Sequence, residues 1–222
     1  MAAESFFEML RSGNAAGVAA ALESDPRLAA ARDASGLSAV IVALYHRQTP
    51  LVPLLLSQNP PLDVFEAAAL GRATDVATHL ARDPECARSY SADGFTPLHL
   101  AAFFSRPEVA KVLIERGADV RAVARNPSRV EPIHSAVASG QAEVAVHLLR
   151  SGADPNARQQ GGFTPLHAAA QRGNVALIGE LTASGADPGL TSDDGRSAVD
   201  MAGERSDVVA AVVAGRNADG RD

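Results

Sequence analysis

Three histidines recur along this chain at nearly constant intervals, His99, His134 and His167, separated by 35 and 33 residues. Histidine is a common metal ligand and the usual proton carrier near neutral pH, so a regular set raises metal binding or acid–base catalysis at once. The interval argues against both. It is the length of a structural unit stacked on copies of itself, and helices packed side by side lie roughly 8–10 Å apart. Zinc–nitrogen bonds of about 2.0–2.1 Å need ligands that converge on one point. One histidine per unit forms a ladder and no chelate, and His46, His79 and His147 follow no ligand spacing.

Other catalytic arrangements are missing. Gly161-Gly162 is too short to cradle a phosphate and no Lys-Ser/Thr follows it. No Gly-x-Ser-x-Gly elbow appears, and acidic pairs such as Asp193-Asp194 precede a glycine, where local backbone bonding in turns accounts for them. Cys86 is the only cysteine, which excludes an intramolecular disulfide and reads as a small apolar residue. The sequence therefore predicts no enzyme, no cofactor and no metal.

The elements that carry the histidines are legible from the phrase around each one. Thr96-Pro97-Leu98-His99, Glu131-Pro132-Ile133-His134 and Thr164-Pro165-Leu166-His167 are followed by a degraded Ser197-Ala198-Val199-Asp200, and successive starts differ by 35, 33 and 33 residues. Thr is a good N-cap, and Pro suits the first helical position because its missing NH was unpaired anyway. Each phrase starts a helix. Small residues follow, Ala101-Ala102 and Ala169-Ala170, and then a second apolar stretch at helical spacing such as Val109, Val112 and Leu113. Gly117-Ala118-Asp119, Gly152-Ala153-Asp154 and Gly185-Ala186-Asp187 close it, with glycine free to take the left-handed conformation that ends a helix. A unit is thus helix, turn, helix and extended finger.

Asp-Gly-Phe-Thr-Pro-Leu-His-Leu-Ala-Ala at 93–102, with Gly-Ala-Asp at 117–119, resembles the ankyrin repeat, and specifically a stand-alone ankyrin-repeat domain of bacterial type. The resemblance implies an all-α solenoid of helix-turn-helix units joined by short β-hairpin or extended fingers. It also implies that the ladder histidines hydrogen-bond the backbone of the adjoining finger. Aligning the inter-helix turns at Gly13, Arg47, Gly71, Ser105, Gly140, Gly173 and Ser206 gives about seven units including caps, at 4–33, 34–62, 63–91, 92–124, 125–157, 158–190 and 191–214. They form one domain over 1–214, followed by a polar tail at 215–222. Only the step from Arg47 to Gly71, 24 residues, is short, so the finger there is cut to a turn around Pro60-Pro61 and marks a seam. Ser24-Asp25-Pro26 and Arg82-Asp83-Pro84 supply a substitute helix stop in the early units.

The resemblance also names contact positions, those flanking the finger glycine and the two before the inter-helix turn. Six of the nine aromatics in the chain fall on them: Tyr45, Tyr90, Phe95, Phe103, Phe104 and Phe163. Arg125, Arg158 and Arg172 occupy others, and the longer finger between units four and five adds Arg129. From Val120 to Val130 there are three arginines and no acid, on a chain whose net charge is −6. The overall charge speaks against a general nucleic-acid binder. The expectation is a non-catalytic scaffold that binds one partner protein in the groove and finger tips of units four to six. A regulator that covers the active site of a partner enzyme is the alternative. The N-terminus shows no basic segment followed by a sustained apolar one, and the longest apolar run, Leu37 to Tyr45, is interrupted by Ser38. The sequence thus predicts no signal peptide, no membrane contact, a cytoplasmic location and a monomer.

Overall fold

The computed structural model describes residues 2–140 and 142–218. Their helices fall into seven pairs: α1 Ala2–Ser12 with α2 Ala15–Ser24, α3 Ala39–Tyr45 with α4 Val52–Leu56, α5 Val64–Leu70 with α6 Ala73–Arg82, α7 Pro97–Phe103 with α8 Pro107–Glu115, α9 Pro132–Ser139 with α10 Ala142–Arg150, α11 Pro165–Arg172 with α12 Val175–Ala183, and α13 Ala198–Ala202 with α14 Ser206–Ala218. First helices pack in one row, α5 on α7, α7 on α9, α9 on α11 and α11 on α13, and second helices in another. The fingers are extended loops, with isolated antiparallel bridges at Arg32–Ser38 and Thr191–Ser197.

The local chemistry explains each boundary. Thr96 is extended (φ −81°, ψ 163°) and its hydroxyl accepts from the His99 amide. Gly117, Gly152 and Gly185 take φ of 85°, 94° and 92°. The next residue in each case, Ala118, Ala153 or Ala186, donates back to Leu113, Leu148 or Leu181 at 2.9–3.0 Å, so the last turn keeps few orphan carbonyls. Asp25 and Asp83 share one conformation (φ −142° and −144°), ending α2 and α6 and accepting from the amides of Arg27 and Glu85. Asn59 (φ 50°) does at the end of α4 what glycine does later, as asparagine tolerates left-handed backbone best among the larger residues.

Inter-helix turns need the same conformation, and Arg47 (φ 58°) and Ser105 (φ 54°) adopt it without being glycine. The second unit is therefore a true helix pair despite its arginine. The last unit departs from the expected register. Ser206 belongs to α14, and the turn falls at Gly203 (φ 61°), because α13 stops after five residues. α14 continues to Ala218, so 215–218 are helical where a polar tail was expected, and 219–222 lie outside the described residues.

Buried apolar side chains form two clusters. One, built on Phe6, Phe7, Leu10, Leu44 and Leu55, gathers units one and two and takes in Ala69 and Leu100. The other runs from Val64 to Val212 through the remaining units. Phe65 packs against both. The break coincides with the Pro60-Pro61 turn.

Candidate functional site

The three histidines have no free ring nitrogen. Nδ1 of His99, His134 and His167 accepts from the backbone amide of Thr96, Glu131 and Thr164 at 3.2, 3.0 and 3.2 Å. Nε2 then donates to the carbonyl of Val130, Ala157 and Arg196, each at 3.0 Å. Each ring pins a helix start to the next finger, as the resemblance implied. Burial lowers all three pKa values, that of His99 to about 4, so the rings are neutral. In unit three Glu66 takes the histidine's place, its Oε2 accepting from the Asp63 amide at 2.6 Å. Arg32, at the base of the finger at 33–38, reaches across to pair with Asp63 at 2.9 Å and Glu66 at 3.2 Å. Burial first, and the adjacent Asp63 carboxylate second, push Glu66 up to about 7.

Fingers are strung together by single backbone bonds. Arg125 donates to the Gly94 carbonyl at 2.8 Å, Gln160 to Ser128 at 3.0 Å, and Asp193 to Gly161 at 2.9 Å. The approach is close enough that a Cβ on Gly94 would stand 2.6 Å from the Arg125 carbonyl oxygen, which glycine alone avoids. Where the finger is cut, its two neighbours meet. A Cβ on Gly36 would lie 3.0 Å from that of Ala92, so the finger at 33–38 abuts the one at 89–95.

That closure brings Tyr45 of unit two directly against unit four. Its equivalent in unit three is the fully buried Ala69, which leaves room above it. The Tyr45 hydroxyl donates to Asp93 Oδ2 at 2.6 Å, and Ser91 donates to Oδ1 at 2.5 Å. Burial, followed by the Asp93 carboxylate, raises the Tyr45 pKa above its ordinary value. Its ring stacks on Phe104 at 5.7 Å and meets Phe103 edge-on at 6.2 Å, while Phe103 and Phe104 stand edge-to-face at 5.1 Å.

Of the six aromatics placed on contact positions, only Phe103 is exposed, at 43%. Tyr45, Tyr90, Phe95, Phe104 and Phe163 are half-buried. Tyr45, Phe95, His99, Leu100, Phe103 and Ser135 line a cleft of about 110 Å³ that spans units two, four and five. Beside it Arg125 lies on the Tyr90 ring at 3.9 Å, and the Tyr90 hydroxyl donates to the Val123 carbonyl at 3.2 Å. Arg129 sits at the finger-glycine position with φ 50°, exposed. Arg121 pairs with Asp154 at 3.1 Å, whereas among the described residues no carboxylate pairs with Arg125 or Arg129.

The remaining residues are not brought to this cleft. Phe163 meets His167 of α11 and Arg196 of the next finger, and Arg158 bonds the Thr191 carbonyl at 2.9 Å and Asp193 at 3.4 Å. Arg172 donates to the Ala138 carbonyl at the end of α9. Arg106 and Arg205 do the same to Ala69 and Ala170, at the ends of α5 and α11. A guanidinium from one unit thus caps the first helix of the unit before it, where the helix dipole is negative. Sequence reasoning missed this cap, and also missed the Tyr45–Asp93 bond.

Stacked helix pairs, a backbone-bonded finger ladder and histidines committed to structure define an all-α repeat scaffold. The family described as "Ankyrin repeats (3 copies)" matches residues 133–222, and "Ankyrin repeat" matches 93–125, together more than half of the chain. The chain belongs to the ankyrin-repeat family. It is 39% identical over 93 residues to the probable E3 ubiquitin-protein ligase XBOS31 of Oryza sativa subsp. japonica, covering 41% of this chain and 20% of that protein. It is 37% identical over 106 residues to human neurogenic locus notch homolog protein 4, covering 46% and 5%. It is 31% identical over 112 residues to human BCL-6 corepressor-like protein 1, covering 50% and 6%. The chain spans a fifth or less of each relative's length. These relatives are eukaryotic and give no support to a bacterial type. No helix among the described residues is long and apolar enough to cross a membrane.

Proposed function

We propose that this chain is a non-catalytic docking module that holds one partner protein on the face formed by the first helices and fingers of units four to six, with Tyr45 of unit two as an outlying wall. One observation carries the reading. Phe103, the most exposed large apolar side chain among the described residues, stands at an apolar cleft whose walls Tyr45 and His99 are fixed by hydrogen bonds and Phe95 by its contact with the His99 ring. Exposed aromatics over a preformed apolar floor are the usual anchors of protein interfaces. Relatives named for a ubiquitin ligase, a notch protein and a corepressor share the stretch as a minor part of their length. That distribution fits a transferable binding unit better than a catalytic one. The committed ring nitrogens of the histidine ladder favour the same reading.

The test compares matched variants in affinity capture. A partner retained by the parent chain and by Val175→Ala, another exposed apolar position, should be lost with Phe103→Ala. Retention by Phe103→Ala refutes the assigned face.

A further inference from the structure

Resting on that docking face, we infer that its partner presents an extended acidic segment with a single aliphatic side chain, the aliphatic group entering the Tyr45–Phe95–Phe103 cleft and the carboxylates lying along the finger at 120–130.

Size and polarity set the first half. Apolar cavities of about 150 Å³ remain dry and accept a benzene-sized guest. The cleft, at about 110 Å³, fits a side chain of valine, leucine or methionine size and is too small for an indole. Its walls carry no charge that such a guest would have to desolvate. His99 is bonded at both nitrogens, and the Asp93 carboxylate behind Tyr45 is already held by two hydroxyls.

Charge sets the second half. The chain carries a net −6, so an acidic partner is repelled by most of its surface. The finger at 120–130 is the local exception, with three arginines and no acid. One of them, Arg121, is spent on Asp154, which leaves Arg125 and Arg129 to face a partner. The finger is also anchored beside the cleft, since the Val130 carbonyl receives His99 and the Arg125 amide reaches Gly94. Arg125 is held over the Tyr90 ring, which reduces the side-chain entropy lost when a carboxylate docks. A positive finger beside a neutral apolar pocket selects opposite charge and steers its approach. Among the described residues no carboxylate neutralises either of these exposed arginines.

Random peptides displayed on phage, selected on the full chain, provide the test. The expected enriched sequence has one aliphatic residue with two or more Asp or Glu to one side. A synthetic peptide of that sequence should lose about thirtyfold in affinity with Phe103→Ala. It should lose about tenfold with Arg125→Glu plus Arg129→Glu, and weaken as salt is raised. The arginine variants are surface changes, so they keep the test open should Phe103→Ala fold poorly. A basic or uncharged consensus that still needs Phe103 overturns the acidic partner and leaves the docking face standing. No enrichment, or binding indifferent to Phe103, overturns both.

Discussion

Replacing Glu131 by Thr should stabilise the protein, and only at high pH. Thr stands at the matching position in the units on either side, Thr96 and Thr164, but unit five starts its helix with Glu131. Its Oε2 is buried with no hydrogen-bond partner. Burial is the main cause that lifts its pKa from 4.5 to about 7, with Asp154 and Asp119 adding to it and Arg121 opposing. A rise of that size disfavours the ionised form in the folded state by about 3 kcal/mol. The residue is only partly buried, so solvent screening reduces this to about 1–2 kcal/mol. The sign follows from which state binds the proton. With the folded pKa above the unfolded one, the folded chain is relatively stable below about pH 4.5 and loses that advantage as pH rises through 7. Glu131→Thr should therefore raise the melting temperature by about 2–8 °C at pH 8 for a chain of this size, and by almost nothing at pH 4.5. His99 acts oppositely in the parent. Its folded pKa of about 4 lies below the ordinary 6.5, so its contribution, about 3 kcal/mol, is full above pH 6.5 and lost as pH falls toward 4. Both proteins carry His99 and Glu66, so the difference between parent and variant cancels those terms where a single pH profile would confuse them. Thermal melts and urea midpoints of the two proteins across this range measure it. An equal gain at both ends would assign the effect to capping by Thr, and no gain at pH 8 would refute the buried-carboxylate argument altogether.

Hydrogen exchange should find α1 to α4 opening at lower free energy than α7 to α12, because most of their core lies in a second cluster and the finger that would couple them is cut to a turn; uniform protection would contradict the seam. Phe104→Ala, which removes the ring stacked on Tyr45, should cost about 2–3 kcal/mol in urea unfolding, against about 1 kcal/mol or less for the exposed Phe103→Ala. Equal losses would place Phe103 in the core. Chelator should leave the melting temperature unchanged, since both nitrogens of each ladder histidine are bonded to backbone; a drop reversed by zinc would show otherwise. Light scattering of dilute protein should give the monomer mass, and a dimer mass independent of concentration would count against it.

Features that repeat locally were legible in the sequence. Thr96-Pro97 and Gly117-Ala118 act within a few residues of themselves, so their chemistry shows in any copy of the unit. The glycine-for-arginine exchange at Arg47 was harder, because a left-handed arginine costs roughly 1 kcal/mol or more locally. The stack imposes that conformation, as Gly13 and Gly71 show on either side. Gly203 and Ser206 show the converse. The register extrapolated from Gly140 and Gly173 placed the last turn three residues too late, since α13 is short. The arginine caps were hidden for another reason. Arg106, Arg172 and Arg205 look like surface charges until the helix end of the preceding unit is placed beneath them.

The least legible contact is the one that shapes the candidate site. Tyr45 and Asp93 are 48 residues apart and belong to units separated by a third. In a regular stack a finger would stand between them, and no period in the sequence pairs residues across two units. Shortening that finger lets the flanking fingers meet, and the small Ala69 lets Tyr45 lean over unit three to its hydrogen bond with Asp93. The same irregularity thus separates the apolar core into two clusters and supplies the wall that turns an open aromatic surface into a cleft. Its mechanical cost falls on the N-terminal units, where few partner contacts are expected. Its gain falls at Phe103, held by two neighbouring rings yet still exposed. A docking residue needs that combination, because an anchor that is already ordered loses less entropy when a partner covers it.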